Sequence, residues 1–279
     1  MSKVLIILGM HRSGTSLVTN WLNKCGLNVG DSLVEEGISN TEGHYEDWDF
    51  VKLHEDILKA HNEPSTGLIE KPVKITSRYH LEKLKMTTVF KSRVYEQWGF
   101  KDPRTCLFIP YYQEALPNAR YIVILRDFAP VVSSLVKRDF LQMDYHYVRR
   151  VNKVMQFLWR FRKEKMFYKY YELLSEKYLR VWIGYNEAIL DFIKKEPPDN
   201  YVLINYKMLL KNAEDVVGVL KNDWGFDLEY YDYGKVYKPG LISKLIELEP
   251  YISDKSLIQK ANALMKELET YSFEREKNQ

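Results

Sequence analysis

Lys3-Val4-Leu5-Ile6-Ile7-Leu8 runs directly into Gly9-Met10-His11-Arg12-Ser13-Gly14-Thr15-Ser16. The first six residues are a short apolar run ending at a glycine, the pattern of a strand buried on both faces. Beyond Gly14, Leu17, Trp21 and Leu22 recur at helical spacing until Gly26. The order is strand, glycine-bounded turn, helix. A loop in that place turns backbone N–H groups inward, and the helix N-terminus adds partial positive charge, so an anionic phosphate is held. The glycines supply positive φ and close approach. Gly9 and Gly14 have the spacing of the nucleotide-binding G-x-x-x-x-G-K-[ST] motif, but Thr15 stands where that motif has Lys. Arg12 is the loop's permanent cation, a planar donor fork suited to an anion. An ordinary Gly-containing turn is the plain alternative. A strand before, a helix after and a cation within favour the phosphate loop.

Outward from this segment, Tyr121–Leu125 and Tyr201–Asn205 read as further buried strands, and Phe50–Leu58 and Leu257–Tyr271 as helices. Residues 31–49 read as a loop. Strands alternating with helices define an α/β fold, a three-layer P-loop-type parallel sheet flanked by helices. A long helical insertion is expected at about 140–195, within a single domain spanning 1–279. In it Tyr171, Leu174, Tyr178, Trp182, Tyr185 and Ile189 repeat at steps of three and four, a stripe that reads first as core or helix–helix seam.

The 279 residues are 46% hydrophobic and 28% charged, which supports a sizeable core and excludes a disordered chain. The formal net charge of +3 gives no basic nucleic-acid-binding arm. That total is a cancellation. Asp31–Asp56 holds nine acids against Lys52 alone, whereas Lys137–Arg180 holds twelve bases and five acids. Each run is a solvated face in the plain reading. The basic run also suits an acidic glycan, a phospholipid surface or an anionic carrier. Two cysteines, Cys25 and Cys106, make no disulfide framework and fit a reducing compartment. No apolar run approaches the roughly 20 residues of a membrane span, so a cytoplasmic location is expected. No His/Cys cluster has metal-ligand spacing, so no metal is expected.

Arg126 follows the strand Tyr121–Leu125, and Ser134 and Arg138 stand one turn apart if a helix begins near Pro130. Two guanidinium groups and a hydroxyl in one place suit a dianionic phosphate; surface cations and a packed serine are the alternative. The loop Gly9–Ser16 resembles the 5′-phosphosulfate loop of P-loop sulfotransferases, closest in form to bacterial members and more distantly to the tyrosylprotein and carbohydrate enzymes of the Golgi. Arg126-Asp127, Pro130, Ser133-Ser134 and Arg138 resemble the 3′-phosphate motif of that family, with Phe128 where the family more often has Pro. Lys101-Asp102-Pro103-Arg104 resembles its K-D-P segment, and Tyr206 the Tyr of a Y-E-x-L segment, although Lys207 replaces Glu. Together these cover roughly Lys3 to Arg138, with a weaker extension to Tyr206.

The resemblance implies 3′-phosphoadenosine 5′-phosphosulfate (PAPS) as donor and adenosine 3′,5′-bisphosphate (PAP) as product. It implies His11, Arg12, Ser13, Gly14, Thr15, Ser16, Arg126, Ser134 and Arg138 as donor-binding residues and Lys101 beside the transferring sulfuryl group. Arg104 holds donor or acceptor, or pairs with an acid. Tyr206 touches the nucleotide or is core. The acceptor is a hydroxyl, first of all of a saccharide or glycolipid. A hydroxyl needs a general base, and Gly43-His44-Tyr45-Glu46 resembles the G-x-[FYW]-E segment of bacterial members. Glu46 is the first candidate, then His44, then Glu42. A P-loop kinase and a non-catalytic nucleotide-binding module are the rivals; the missing Lys argues against the kinase, and the module leaves Lys101 and Glu46 without a role.

Overall fold

The computed structural model describes residues 2–34, 43–238 and 246–273. Four parallel strands, β1 (Lys3–Leu8), β2 (Gln97–Lys101), β3 (Arg120–Leu125) and β4 (Tyr201–Asn205), form one sheet in the order β2-β1-β3-β4. Among the described residues, eight α-helices connect and cover it: α1 (Thr15–Lys24), α2 (Trp48–Ala60), α3 (Arg78–Val94), α4 (Ile109–Ala115), α5 (Phe128–Arg149), α6 (Lys153–Ile193), α7 (Leu209–Gly218) and α8 (Lys255–Glu269).

Side chains alternate across each strand, so the sheet divides the interior into two cores. Val4, Ile6, Leu8, Tyr121, Val123 and Leu125 face the larger core, built with α2, α4, α5, α6 and α8. Leu5, Ile7, Ile122, Ile124, Val202 and Ile204 face the smaller one, closed by α1 and α7. This is the expected three-layer arrangement, and it explains why β1, β3 and β4 read as unbroken apolar runs.

The strand β2 was not legible because Gly99 interrupts its apolar pattern, and the Lys-Asp-Pro segment after it reads as a turn. The glycine marks a close approach. A Cβ at Gly99 would lie 2.7 Å from the Leu5 carbonyl oxygen and 3.0 Å from Leu27 Cδ2. Lys101 is therefore the last residue of a strand. The turn lies just beyond it, where Asp102 accepts from the Arg104 N–H and caps the 3₁₀ segment Pro103–Leu107.

The helical region differs from the expected 140–195: it begins earlier and is broken once, at residues 150–152. The helix α5 starts at Phe128, capped by Asp127 at the Ala129 N–H, and passes position 140 without a break. Its partner α6 is 41 residues long. The contacts Asp139–Tyr178, Phe140–Phe167 and Tyr147–Trp159 run in opposite sense along the two helices, so they form an antiparallel hairpin. The stripe Tyr171, Tyr178, Trp182, Tyr185 and Ile189 is buried in the larger core, as a seam requires.

Gly99→Ala is expected to lower the unfolding free energy by about 2 kcal/mol, because the backbone at Leu5 cannot yield as a flexible side chain would. Urea denaturation checks this; an unchanged midpoint would contradict the close approach.

Candidate active site

All four strands run the same way, so the residues after them emerge at one edge of the sheet. Register brings Lys101 beside Ile7, just before the Gly9 loop, and Leu125 beside Asn205, so that Arg126 and Tyr206 leave adjacent strands. The loop folds back over this edge. A Cβ at Gly9 would lie 2.7 Å from Thr15 Cγ2 and 2.9 Å from the Ile124 carbonyl oxygen. Gly14 caps α1 at φ 95°, a left-handed conformation that glycine adopts without strain. Arg12 takes φ 65°, uncommon for a residue with a Cβ. The first-turn N–H groups of α1 then point toward the crevice and carry the positive end of its dipole.

Three guanidinium groups gather here. Arg12 Nε donates to Ser134 Oγ at 2.8 Å, and Arg126 Nη1 donates to the Arg12 carbonyl at 2.7 Å. The Arg126 guanidinium lies 5.1 Å from the centre of the Tyr206 ring, and that ring in turn packs against Gly14. Arg138, one turn beyond Ser134 on α5, binds Asp139 through Nε and Nη2 at 2.9 and 2.8 Å. Burial first, then the facing charges of Arg138 and Arg126, pulls the Arg12 guanidinium below its usual range. Burial lowers Arg126 too. Its buried Nε has no hydrogen-bond partner among the described residues, and neither has His11 Nε2. Burial, Arg104, Arg138 and Lys101 together pull His11 down to about 3, with Asp102 opposing them. A neutral imidazole thus lies among cations.

On the other side of the loop, Lys101 Nζ is 2.7 Å from Glu46 Oε1 and 3.2 Å from Ser16 Oγ, and it also donates to the His44 carbonyl. Ser16 Oγ donates to the same carbonyl at 3.1 Å. The acidic segment is thereby tied to the start of α1. Burial leads in lowering His44, assisted by Lys101, Arg12 and Arg104 and opposed by Glu46. Glu42 lies outside the described residues.

Arg104 is paired with an acid beside this cluster. Its Nε and Nη2 meet Asp102 at 2.9 and 2.8 Å, and Nη1 reaches the Ser65 carbonyl at 3.0 Å and Glu55 at 3.3 Å. Asp102 is fully buried and also bonds His54 Nδ1 at 3.0 Å, while His54 Nε2 meets Tyr112 at 2.7 Å. The charges of Arg104 and His54 hold the Asp102 carboxyl well below the usual range despite its burial. Sequence reasoning missed this network, because His54 and Tyr112 lie within apolar helical patterns. It also missed two supports from α6: Trp182 Nε1 donates to the Arg126 carbonyl at 3.1 Å, and the Tyr185 ring stands edge-on to His11 at 5.9 Å. The available signal was the polar handle on each ring of a buried stripe.

The fold and site define a class: a three-layer α/β protein with a glycine-bounded loop and a cationic crevice at the sheet edge. A sulfotransferase family matches residues 5–226, and the chain belongs to that family. Among solved structures, a sulfotransferase from Mycobacterium avium (STF9) is similar at 15% identity and a TM-score of 0.51, over 99% of this chain and 78% of that one. The sulfotransferase domain of a Synechococcus olefin synthase is similar at 16% identity and a TM-score of 0.47, over 99% and 97%. That of the curacin biosynthetic pathway is similar at 13% identity and a TM-score of 0.46, over 99% and 93%. No curated protein matches the sequence significantly.

Because the folded value of His11 lies below its unfolded 6.5, its contribution to stability is complete above that pH and declines as pH falls toward about 3. His11→Gln is expected to flatten the fall in unfolding free energy over that interval. Parallel stability curves for the two proteins would contradict the neutral, desolvated histidine.

Proposed function

We propose that this chain moves a sulfuryl group from PAPS to an acceptor hydroxyl, that of a glycan or glycolipid. One observation carries the reading: Arg12, Arg126 and Arg138 meet around the start of α1, where a phosphate ester would be surrounded by donors. Membership of the sulfotransferase family supports the reaction class. The residues present fit the donor. The buried Arg126 Nε and His11 Nε2 await partners, and the cationic donor set suits phosphate.

In this reading the loop His11–Ser16 and Arg12 hold the 5′ end, Arg126, Ser134 and Arg138 hold the 3′-phosphate, and Tyr206 braces Arg126 beneath it. Arg104 acts at one remove, through the Asp102 network that fixes the end of β2. The donor supplies an electrophilic sulfur whose leaving group is the nucleotide 5′-phosphate. Displacement is in line, by analogy with phosphoryl transfer. As the S–O bond to the nucleotide breaks, Arg12, Lys101 and the α1 N–H groups meet the charge that grows on the departing oxygen. Glu46 takes the proton of the acceptor hydroxyl, and His44 is the second candidate. A sulfuryl oxygen competes with Glu46 for Lys101 and leaves the carboxylate to the acceptor.

Glu46→Gln should keep its affinity for adenosine 3′,5′-bisphosphate and lose at least about a hundredfold in turnover. Labelled PAPS offered with a panel of saccharides, glycolipids and phenols supplies the assay. Full turnover in the variant would remove Glu46 as base, and label carried only by phenols would overturn the acceptor class.

A further inference from the structure

The distal half of α6 carries features that the proposed transfer does not use. Among the buried residues of α6, Trp159 alone precedes Tyr171. It is held by α5: the indole stacks on Tyr147 at 4.4 Å and donates to Asp144 at 2.8 Å. Lys163 reaches the same Asp144 at 2.6 Å. Residues 153–169 therefore form, with the end of α5, a two-helix arm about 25 Å long at the helical rise of about 1.5 Å per residue.

Over residues 154–161, the face of this arm opposite Trp159 is apolar and uncovered. Val154, Phe157, Leu158 and Phe161 follow the i, i+3, i+4, i+7 spacing that aligns side chains on one face. Val154 is 68% exposed, Phe157 58% and Phe161 73%, and the two phenylalanine rings pair at 5.0 Å. Tyr168 lies further along the same face, beyond the exposed Glu164 and Lys165, and is also exposed. Cations border it: Lys153 and Arg160 on one side, Arg162 and Lys169 on the other, all exposed. From Arg149 to Lys169 there are eight cations and one acid, Glu164.

We infer that this arm docks the protein on an anionic lipid surface, with Phe157 and Phe161 inserted at the headgroup boundary. An apolar stripe between two rows of Lys and Arg matches a surface that is apolar below and negative above. A second copy of the chain matches it poorly, because a two-fold contact would set like charges against each other. No helix among the described residues is long and apolar enough to cross a membrane, so the arm lies on the bilayer. The inference is independent of the donor and acceptor reading, since none of these residues belongs to the proposed site.

The test is sedimentation of the full chain with vesicles of phosphatidylcholine, either alone or with about a quarter phosphatidylglycerol. Binding is expected to the anionic vesicles only and to weaken as salt rises. Phe157→Asp/Phe161→Asp should weaken it at least about tenfold while the thermal midpoint and bisphosphate binding stay as in the parent. Arg160→Glu/Arg162→Glu should weaken it similarly. Equal sedimentation of parent and both variants would overturn the proposal. So would failure of the parent to bind, including the case where the phenylalanine variant instead abolishes a dimer seen in solution, which would assign the stripe to a second copy.

Discussion

A hydrogen bond of 2.7 Å from Arg126 to the carbonyl of Arg12 ties the glycine-bounded loop after β1 to the end of β3. The loop needs such a tie because Arg12 sits in a left-handed conformation that its side chain disfavours. The same guanidinium lies over Tyr206 at the end of β4, and the Tyr206 ring packs close to Gly14, where a Cβ would stand 3.1 Å from it. The ends of β1, β3 and β4 thus meet through one cation. Trp182 of α6 completes the arrangement by donating to the Arg126 carbonyl. The sheet edge, the loop and the helical hairpin are positioned together, and the convergence of cations follows from that.

Lys101 plays the corresponding part on the other side of α1. It reaches Glu46, Ser16 and the His44 backbone at once, so the acidic segment after α1 is held against the start of α1. The near-neutral total charge conceals this arrangement. Acids and bases are sorted by place, with carboxylate and lysine paired at the crevice and a surplus of arginine and lysine on the distal arm.

Much of the fold was legible because parallel strands covered on both faces are written as unbroken apolar runs, as in β1, β3 and β4. The strand β2 was hidden by Gly99, whose reason lies in the Leu5 backbone of a neighbouring strand. The helix α3 was not read because Met86, Val89, Phe90 and Val94 are apolar yet exposed, which blurs its period. In the site, Arg12 could be named from its place in the loop, whereas Arg126 and Ser134 were named through the resemblance of their segment to a family motif. Arg104 could not be assigned to one partner, because the choice between an anion and an acid depends on the buried Asp102. The aromatic stripe of α6 was legible as a seam. That Trp182 and Tyr185 also support Arg126 and His11 is a matter of which way each ring turns its polar or edge atoms, and spacing alone does not carry that.

The central claim is that this crevice receives a nucleotide bearing separate 5′ and 3′ phosphates, not a triphosphate with magnesium. The most direct measurement is the thermal midpoint in the presence of adenosine 3′,5′-bisphosphate or of ATP with Mg²⁺. The bisphosphate is expected to raise the midpoint, and ATP with Mg²⁺ to do so far less. Protection by ATP with Mg²⁺ and none by the bisphosphate would contradict it.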